Sequence, residues 1–90
     1  MHAVRVVVSG RVQGVGFRYW LRTQARELGV TGSVWNRRDG SVELVAEHKD
    51  SAILDRLIQN LGTGPGHVEK VSTQPWLAHG ASQFEIGPTE

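Results

Sequence analysis

The chain has 90 residues, of which 39% are hydrophobic, so it is long enough for one compact domain, which we expect to span residues 1–90. The absence of cysteine excludes disulfides, thiolate metal sites and a cysteine nucleophile. A formal net charge of +1 is too small to indicate a nucleic-acid partner, and no apolar run approaches the roughly 20 residues that a membrane helix needs. We therefore expect a cytoplasmic monomer whose partner is a small anion.

A glycine-rich loop joins the first predicted strand to the first predicted helix. β-branched residues predict the strand over residues 2–9, and the loop then contains Gly10, Gly14 and Gly16. Glycines allow positive φ and carry no Cβ, so successive N–H groups can converge on one point at the positive end of a helix. Arg18 adds a guanidinium that can make two parallel hydrogen bonds to a phosphate. The pattern indicates either a phosphate-binding loop or only a tight strand-to-helix connection beside a solvated arginine.

The other elements follow from apolar periodicity and turn signals. Residues 18–28 have helical spacing, and Gly29 is suited to a left-handed position after the helix. Residues 30–37 are extended, Asp39-Gly40 predicts a hairpin turn, and residues 42–47 alternate as a strand. A second helix begins after Asp50 as N-cap and ends at Gly62. Two further strands are predicted over residues 68–74, with Pro75 at a strand end or sheet edge, and over residues 84–87.

The order of strand, helix, strand, strand, helix and strand predicts an α+β fold, a ferredoxin-like sandwich. Each helix has one apolar face to bury, so both helices should cover one face of an antiparallel sheet. In this architecture the first two strands are parallel neighbours or near neighbours, and they end at the same edge of the sheet. We therefore expect Asn36, at the end of the second strand, to lie toward Arg18.

Four short segments carry a family resemblance. They are Gly10-Arg11-Val12-Gln13-Gly14-Val15-Gly16-Phe17-Arg18-Tyr19, Leu28-Gly29-Val30-Thr31-Gly32, Val34-Trp35-Asn36 and Asp39-Gly40-Ser41-Val42-Glu43. In this register the chain resembles the acylphosphatase family, continuously over about its first half and more loosely over residues 68–86. The resemblance implies a ferredoxin-like fold and hydrolysis of the carboxylic–phosphoric anhydride of acyl phosphates, without metal or cofactor.

The resemblance also assigns roles to particular residues. Arg18 would bind the phosphoryl group, and the side chain of Asn36 would hold the attacking water. The phosphate would be cradled by the backbone of Arg11, Val12, Gln13, Gly14, Val15 and Gly16. The partners would be a small acyl phosphate and inorganic phosphate, the latter as product and competitive inhibitor. Two residues beside Asn36 depart from the family pattern, since Ser33 replaces a commonly aromatic residue and Trp35 a smaller or basic one.

Two other classes of function remain as alternatives. RNA-binding modules with the same element order stack bases on sheet aromatics. Here the predicted open strand positions instead carry Arg5, Glu43 and Glu47, which disfavours that interpretation. An acylphosphatase-like module within a larger carbamoyl-transferring maturation protein is the other alternative, but we expect a free-standing enzyme. The four histidines lack metal-ligand spacing. The adjacent Arg37 and Arg38 either steer an anionic substrate or are only solvated charges at the hairpin tip.

Overall fold

The computed structural model of the protein describes residues Met1–Glu90 and contains five strands and two α-helices. The strands are β1 (His2–Arg11), β2 (Thr31–Asn36), β3 (Val42–His48), β4 (His67–Trp76) and β5 (Phe84–Ile86). The helices are α1 (Phe17–Glu27) and α2 (Ser51–Gln59), and α2 runs on into a 3₁₀ helix (Asn60–Thr63). The elements occur in the predicted order, and Pro75 lies in β4, which is an edge strand. Neither helix is long and apolar enough to cross a membrane.

The strands form one mixed sheet in the order β4-β1-β3-β2-β5. β1 is antiparallel to β4 and to β3, and β3 is antiparallel to β2. β1 and β2 are therefore parallel and separated by one strand, so they end at the same edge of the sheet, as predicted. The sequence predicted antiparallel pairing throughout, whereas β5 pairs with β2 in parallel. This pairing is possible because β4 ends at the end of the sheet where β2 begins, and residues 77–83 cross along that end to the outer side of β2.

The core lies between one face of the sheet and the two helices, which confirms the predicted ferredoxin-like sandwich. Alternate strand residues and one stripe of each helix supply its side chains. The buried strand residues are Val6, Val8, Val34, Val42, Leu44, Ala46 and Phe84. The buried residues of the helices are Phe17, Leu21, Ala25, Leu54 and Leu57, and Leu61 of the 3₁₀ helix continues the second stripe. Both helices and the strands β1, β2, β3 and β5 therefore hide one apolar face, as the periodicity required, whereas β4 contributes no buried residue.

The ends of the helices agree with the sequence at two points and differ at one. Gly29 follows α1 with a φ of 72°, and Asp50 caps α2 by accepting a hydrogen bond from the N–H of Ala52 at 3.0 Å. The prediction that Gly62 ends the second α-helix is wrong, because α2 ends at Gln59 and Gly62 lies inside the 3₁₀ helix. Leu61, within this 3₁₀ helix, lies in the core and is 1% exposed.

Glu47 is buried, although its strand position predicted exposure on the open face of the sheet. Its Oε2 accepts a hydrogen bond from the N–H of His79 at 3.0 Å. Its Oε1 accepts hydrogen bonds from the N–H groups of Gly80 and Ala81 at 3.0 and 3.3 Å. These donors lie in the crossover from β4 to β5, which strand periodicity alone could not place over β3.

Candidate active site

The glycine-rich loop occupies residues 12–16, between the end of β1 and the start of α1. Gly14 and Gly16 have φ angles of 71° and 85°, which favour glycine. Gly16 is the N-cap of α1, and no side chain caps this end of the helix. The hydrogen bonds of turns and loops include none donated by the N–H groups of residues 12–16. A run of unpaired donors therefore stands at the positive end of the helix, an arrangement that can bind an anion.

Arg18 is the second residue of α1 and is half-buried. Arg18 adds a positive charge at the positive end of the helix dipole, and the first turn of the helix contains no acidic residue to compensate it. Its guanidinium takes part in no ion pair, whereas those of Arg5 and Arg37 both contact carboxylates. The loop donors and this charge can act together on one anion.

Asn36 is the last residue of β2 and pairs with Val42 of β3. It shares its strand parity with the buried Val34, so its side chain lies on the face that the helices cover. Its Oδ1 is the one buried side-chain oxygen or nitrogen without a hydrogen-bond partner. An unsatisfied buried acceptor costs about 1–3 kcal/mol, so its retention points to a function.

The side chain of Gln13 connects the loop to the end of β2. Its Nε2 donates hydrogen bonds to the carbonyl oxygens of Arg37 and Ser41, at 2.7 and 2.8 Å. Arg37 follows Asn36 directly, so these bonds bring the loop and the strand end together. The approach of Asn36 to Arg18 itself stays a prediction. The sequence analysis considered only the backbone of Gln13 and missed this contact. A polar side chain within a glycine-rich loop is the signal that could have suggested it.

The predicted turn between β2 and β3 is closed by Asp39. Its Oδ1 accepts hydrogen bonds from the hydroxyl and the N–H of Ser41, and these bonds, aided by the nearby Arg37 guanidinium, lower the pKa of the carboxyl group. Arg37 lies 3.5 Å from Asp39 and 3.8 Å from Glu43, so its charge is compensated within the turn. Arg38 is exposed and makes no ion pair, which leaves one of the two arginines at the tip free to meet an anion in solution.

A second glycine segment, residues 64–66, packs against the loop and α1. A Cβ on Gly66 would lie 2.2 Å from the carbonyl oxygen of Arg11 and 2.9 Å from Cγ2 of Val15. A Cβ on Gly64 would lie 2.5 Å from the ring of Trp20. The sequence predicted only a surface loop here. In the structure this segment instead supports the glycine-rich loop. The close approach is possible because Gly64 and Gly66 lack a side chain.

Comparison with known proteins identifies a family to which this chain is similar. The family model described as acylphosphatase matches residues 4–86. An acylphosphatase from Thermobifida fusca is 46% identical over 86 residues, which are 91% of this chain and 92% of that protein. An acylphosphatase from Lactococcus lactis is 54% identical over 55 residues, which are 61% of this chain and 57% of that protein.

Solved structures give the same result at the level of the fold. The crystal structure of acylphosphatase from Bacillus subtilis matches with a TM-score of 0.92 and 34% sequence identity. The match covers 97% of this chain and 99% of that chain. This chain therefore belongs to the acylphosphatase family of hydrolases.

Proposed function

We propose that the protein hydrolyses small acyl phosphates to a carboxylate and inorganic phosphate. Arg18 and the backbone of residues 11–16 hold the phosphoryl group, and the side chain of Asn36 orients the water. The observation that carries the proposal is the buried, partnerless Oδ1 of Asn36 at the edge of the sheet where the loop donors lie unpaired. The loop, Arg18 and Asn36 all come from one segment, residues 11–36, so the proposed site needs a single domain and a single copy of the chain.

The loop and Arg18 are suited to a phosphoryl group in its transition state. Phosphoryl transfer spreads negative charge over the three equatorial oxygens, and preorganised donors aimed at those oxygens lower the barrier. The unpaired N–H groups supply such donors without rearrangement. The guanidinium of Arg18 can add two parallel hydrogen bonds, and the bound anion offsets its repulsion from the helix dipole.

Asn36 is suited to hold a water molecule rather than to take its proton. The amide group of Asn36 offers both donors and an acceptor to a water molecule but no basic site, so it can orient the water toward phosphorus without taking its proton. The new P–O bond forms as the bond to the acyl oxygen breaks, and the carboxylate leaves with the electron pair. A carboxylate is a good leaving group, so no general acid is required. The proton of the water passes to a phosphate oxygen.

Hydrolysis of benzoyl phosphate in the presence of a chelator tests the proposed function. We expect turnover that the chelator does not change, and competitive inhibition by inorganic phosphate. p-Nitrophenyl phosphate is the matched control, since its phenolate is a poorer leaving group and the site offers no acid to assist it. Comparable turnover of the two substrates, or loss of benzoyl phosphate hydrolysis on chelation, would contradict the proposal.

A further inference from the structure

The amide of Gln13 is the side-chain link between the two halves of the proposed site. Both hydrogen bonds leave the same nitrogen, Nε2, and reach the carbonyl oxygens of Arg37 and Ser41 at 2.7 and 2.8 Å. We propose that Gln13 is a positioning residue, which fixes the phosphate loop at the separation from Asn36 that in-line attack by water requires. The inference rests on the proposed function, because it assigns to Gln13 a role in that reaction.

The two acceptors lie next to the residue pair that carries the Asn36 amide, on its turn side, one on each strand. Asn36 pairs with Val42 across β2 and β3. Arg37 comes directly after Asn36, and Ser41 directly before Val42. The hydrogen bonds from Gln13 to the carbonyl oxygens of Arg37 and Ser41 therefore hold both strands at the point where the Asn36–Val42 pair ends the ladder. A shift of the loop relative to Asn36 would have to break or bend both bonds.

These bonds are not needed to satisfy the hairpin. The carbonyl oxygen of Arg37 also accepts the N–H of Gly40 at 3.2 Å, and that of Ser41 also accepts the N–H of Arg37 at 2.8 Å. Asp39 closes the turn independently through Ser41. Each carbonyl would thus retain a backbone donor without Gln13, and the turn would keep its shape. What the side chain adds is the connection between the turn and the loop.

This arrangement predicts an effect on turnover more than on phosphate binding. The phosphate would be held by the loop's own N–H groups and by Arg18, which remain when the Gln13 side chain is removed. The water on Asn36, in contrast, would lose its fixed distance to phosphorus. Misplacement of a reacting group by about 1 Å can cost on the order of 100-fold in rate.

A double-mutant cycle tests whether Gln13 acts through Asn36. The variants are Gln13→Ala, Asn36→Ala and their combination, with Gln59→Ala, an exposed residue of α2, as control. We expect Gln13→Ala to lower kcat for benzoyl phosphate by about 10- to 100-fold in the wild-type background. In the Asn36→Ala background it should lower kcat by less than about 2-fold, because no positioned amide remains to be displaced. The inhibition constant of inorganic phosphate should change by less than about 3-fold, and Gln59→Ala should match the wild type.

Gln13→Met separates positioning from folding, since it keeps a long side chain and removes both donors. It should remain folded by circular dichroism and reproduce the kcat loss. The inference is overturned by equal kcat losses in both backgrounds, by wild-type kcat in Gln13→Ala, or by unfolding of both Gln13 variants. A wild-type protein that does not hydrolyse benzoyl phosphate, or full turnover by Asn36→Ala alone, would instead refute the proposed function.

Discussion

Arg18 stands where a helix ordinarily places an acidic or capping residue. α1 has neither in its first turn, and the N-cap is Gly16. In the ligand-free protein this is a local cost, since a cation at the positive end of a helix is unfavourable by about 0.3–1 kcal/mol. The proposed function accounts for the cost, because a bound phosphoryl group reverses the sign of the interaction for both the dipole and the guanidinium.

Arg18→Ala should therefore separate activity from stability. We expect kcat/KM for benzoyl phosphate to fall by on the order of 1,000-fold, with weaker inhibition by inorganic phosphate, because a charge-assisted contact to the transferred group is lost. The free energy of unfolding of the ligand-free protein should stay the same or rise by up to about 1 kcal/mol, since a charge is removed from the helix end. Steady-state kinetics and urea unfolding measure the two effects.

Arg56→Ala is the matched control for this prediction. Arg56 lies in the last turn of α2, where a cation is favourable, and it is exposed. Its loss should leave kcat/KM unchanged and lower stability slightly. A similar fall in activity for both variants would show that net charge, and not the position of Arg18, matters.

Asn36→Ala should lower turnover with little change in stability. Oδ1 of Asn36 has no partner within the protein, so its removal breaks no internal hydrogen bond and relieves an unsatisfied buried acceptor. We expect kcat to fall by at least about 100-fold, while the inhibition constant of phosphate and the urea midpoint stay near their wild-type values. An equal loss of turnover and phosphate binding would instead mean that Asn36 supports the loop.

Sequence patterns could locate Arg18 and the loop because their signals are local. Glycine spacing and an arginine at the start of a helix can be recognised within ten residues. The side-chain contacts of Gln13 could not be found in this way, because its acceptors are backbone carbonyls 24 and 28 residues further along the chain. The burial of Glu47 escaped for the same reason, since its donors are 32 to 34 residues away.

At the level of elements, the glycine-rich loop depends on a second segment for its shape. Gly66 approaches the backbone of Arg11 and the side chain of Val15 too closely for any residue but glycine. Periodicity predicted both helices and the strands that bury an apolar stripe, whereas β4 buries none of its residues. It could not predict that α2 tightens into a 3₁₀ helix, or that the segment after it packs against the loop, because both depend on contacts with β1 and α1.

The two glycine segments should respond differently to alanine. In Gly66→Ala the new Cβ would lie 2.2 Å from the Arg11 carbonyl oxygen at a φ of 86°, so backbone must move. We expect its free energy of unfolding to fall by at least about 2 kcal/mol, and kcat to fall because the loop is displaced. Gly14→Ala meets nothing within 4 Å and carries only the strain of its φ of 71°, about 1 kcal/mol. Urea unfolding of both variants measures the difference, and equal losses would contradict the packing argument.

On the scale of the whole molecule, one end of the sheet carries the proposed site and the opposite end carries the crossover from β4 to β5. The loop, Arg18 and Asn36 lie where β1 and β2 end and β3 begins. At the opposite end, the crossover from β4 to β5 is held by the Glu47 carboxylate through three backbone N–H groups. That crossover delivers β5, whose Phe84 is fully buried, to the free edge of β2. The proposed site therefore lies at one end of the sheet, whereas the crossover at the other end places β5 as the edge strand beside β2.

Glu47→Ala tests whether the crossover contributes to stability without affecting the proposed site. Hydrogen bonds to a charged group contribute about 1.5–3 kcal/mol, and the crossover would lose all three of its carboxylate bonds. We expect the free energy of unfolding to fall by about 3 kcal/mol in urea titrations, whereas kcat and KM for benzoyl phosphate stay at wild-type values wherever the variant is folded. Glu85→Ala, on the exposed side of β5, is the control and should change neither quantity. A loss of turnover in folded Glu47→Ala would show that the crossover and the site are coupled through the sheet.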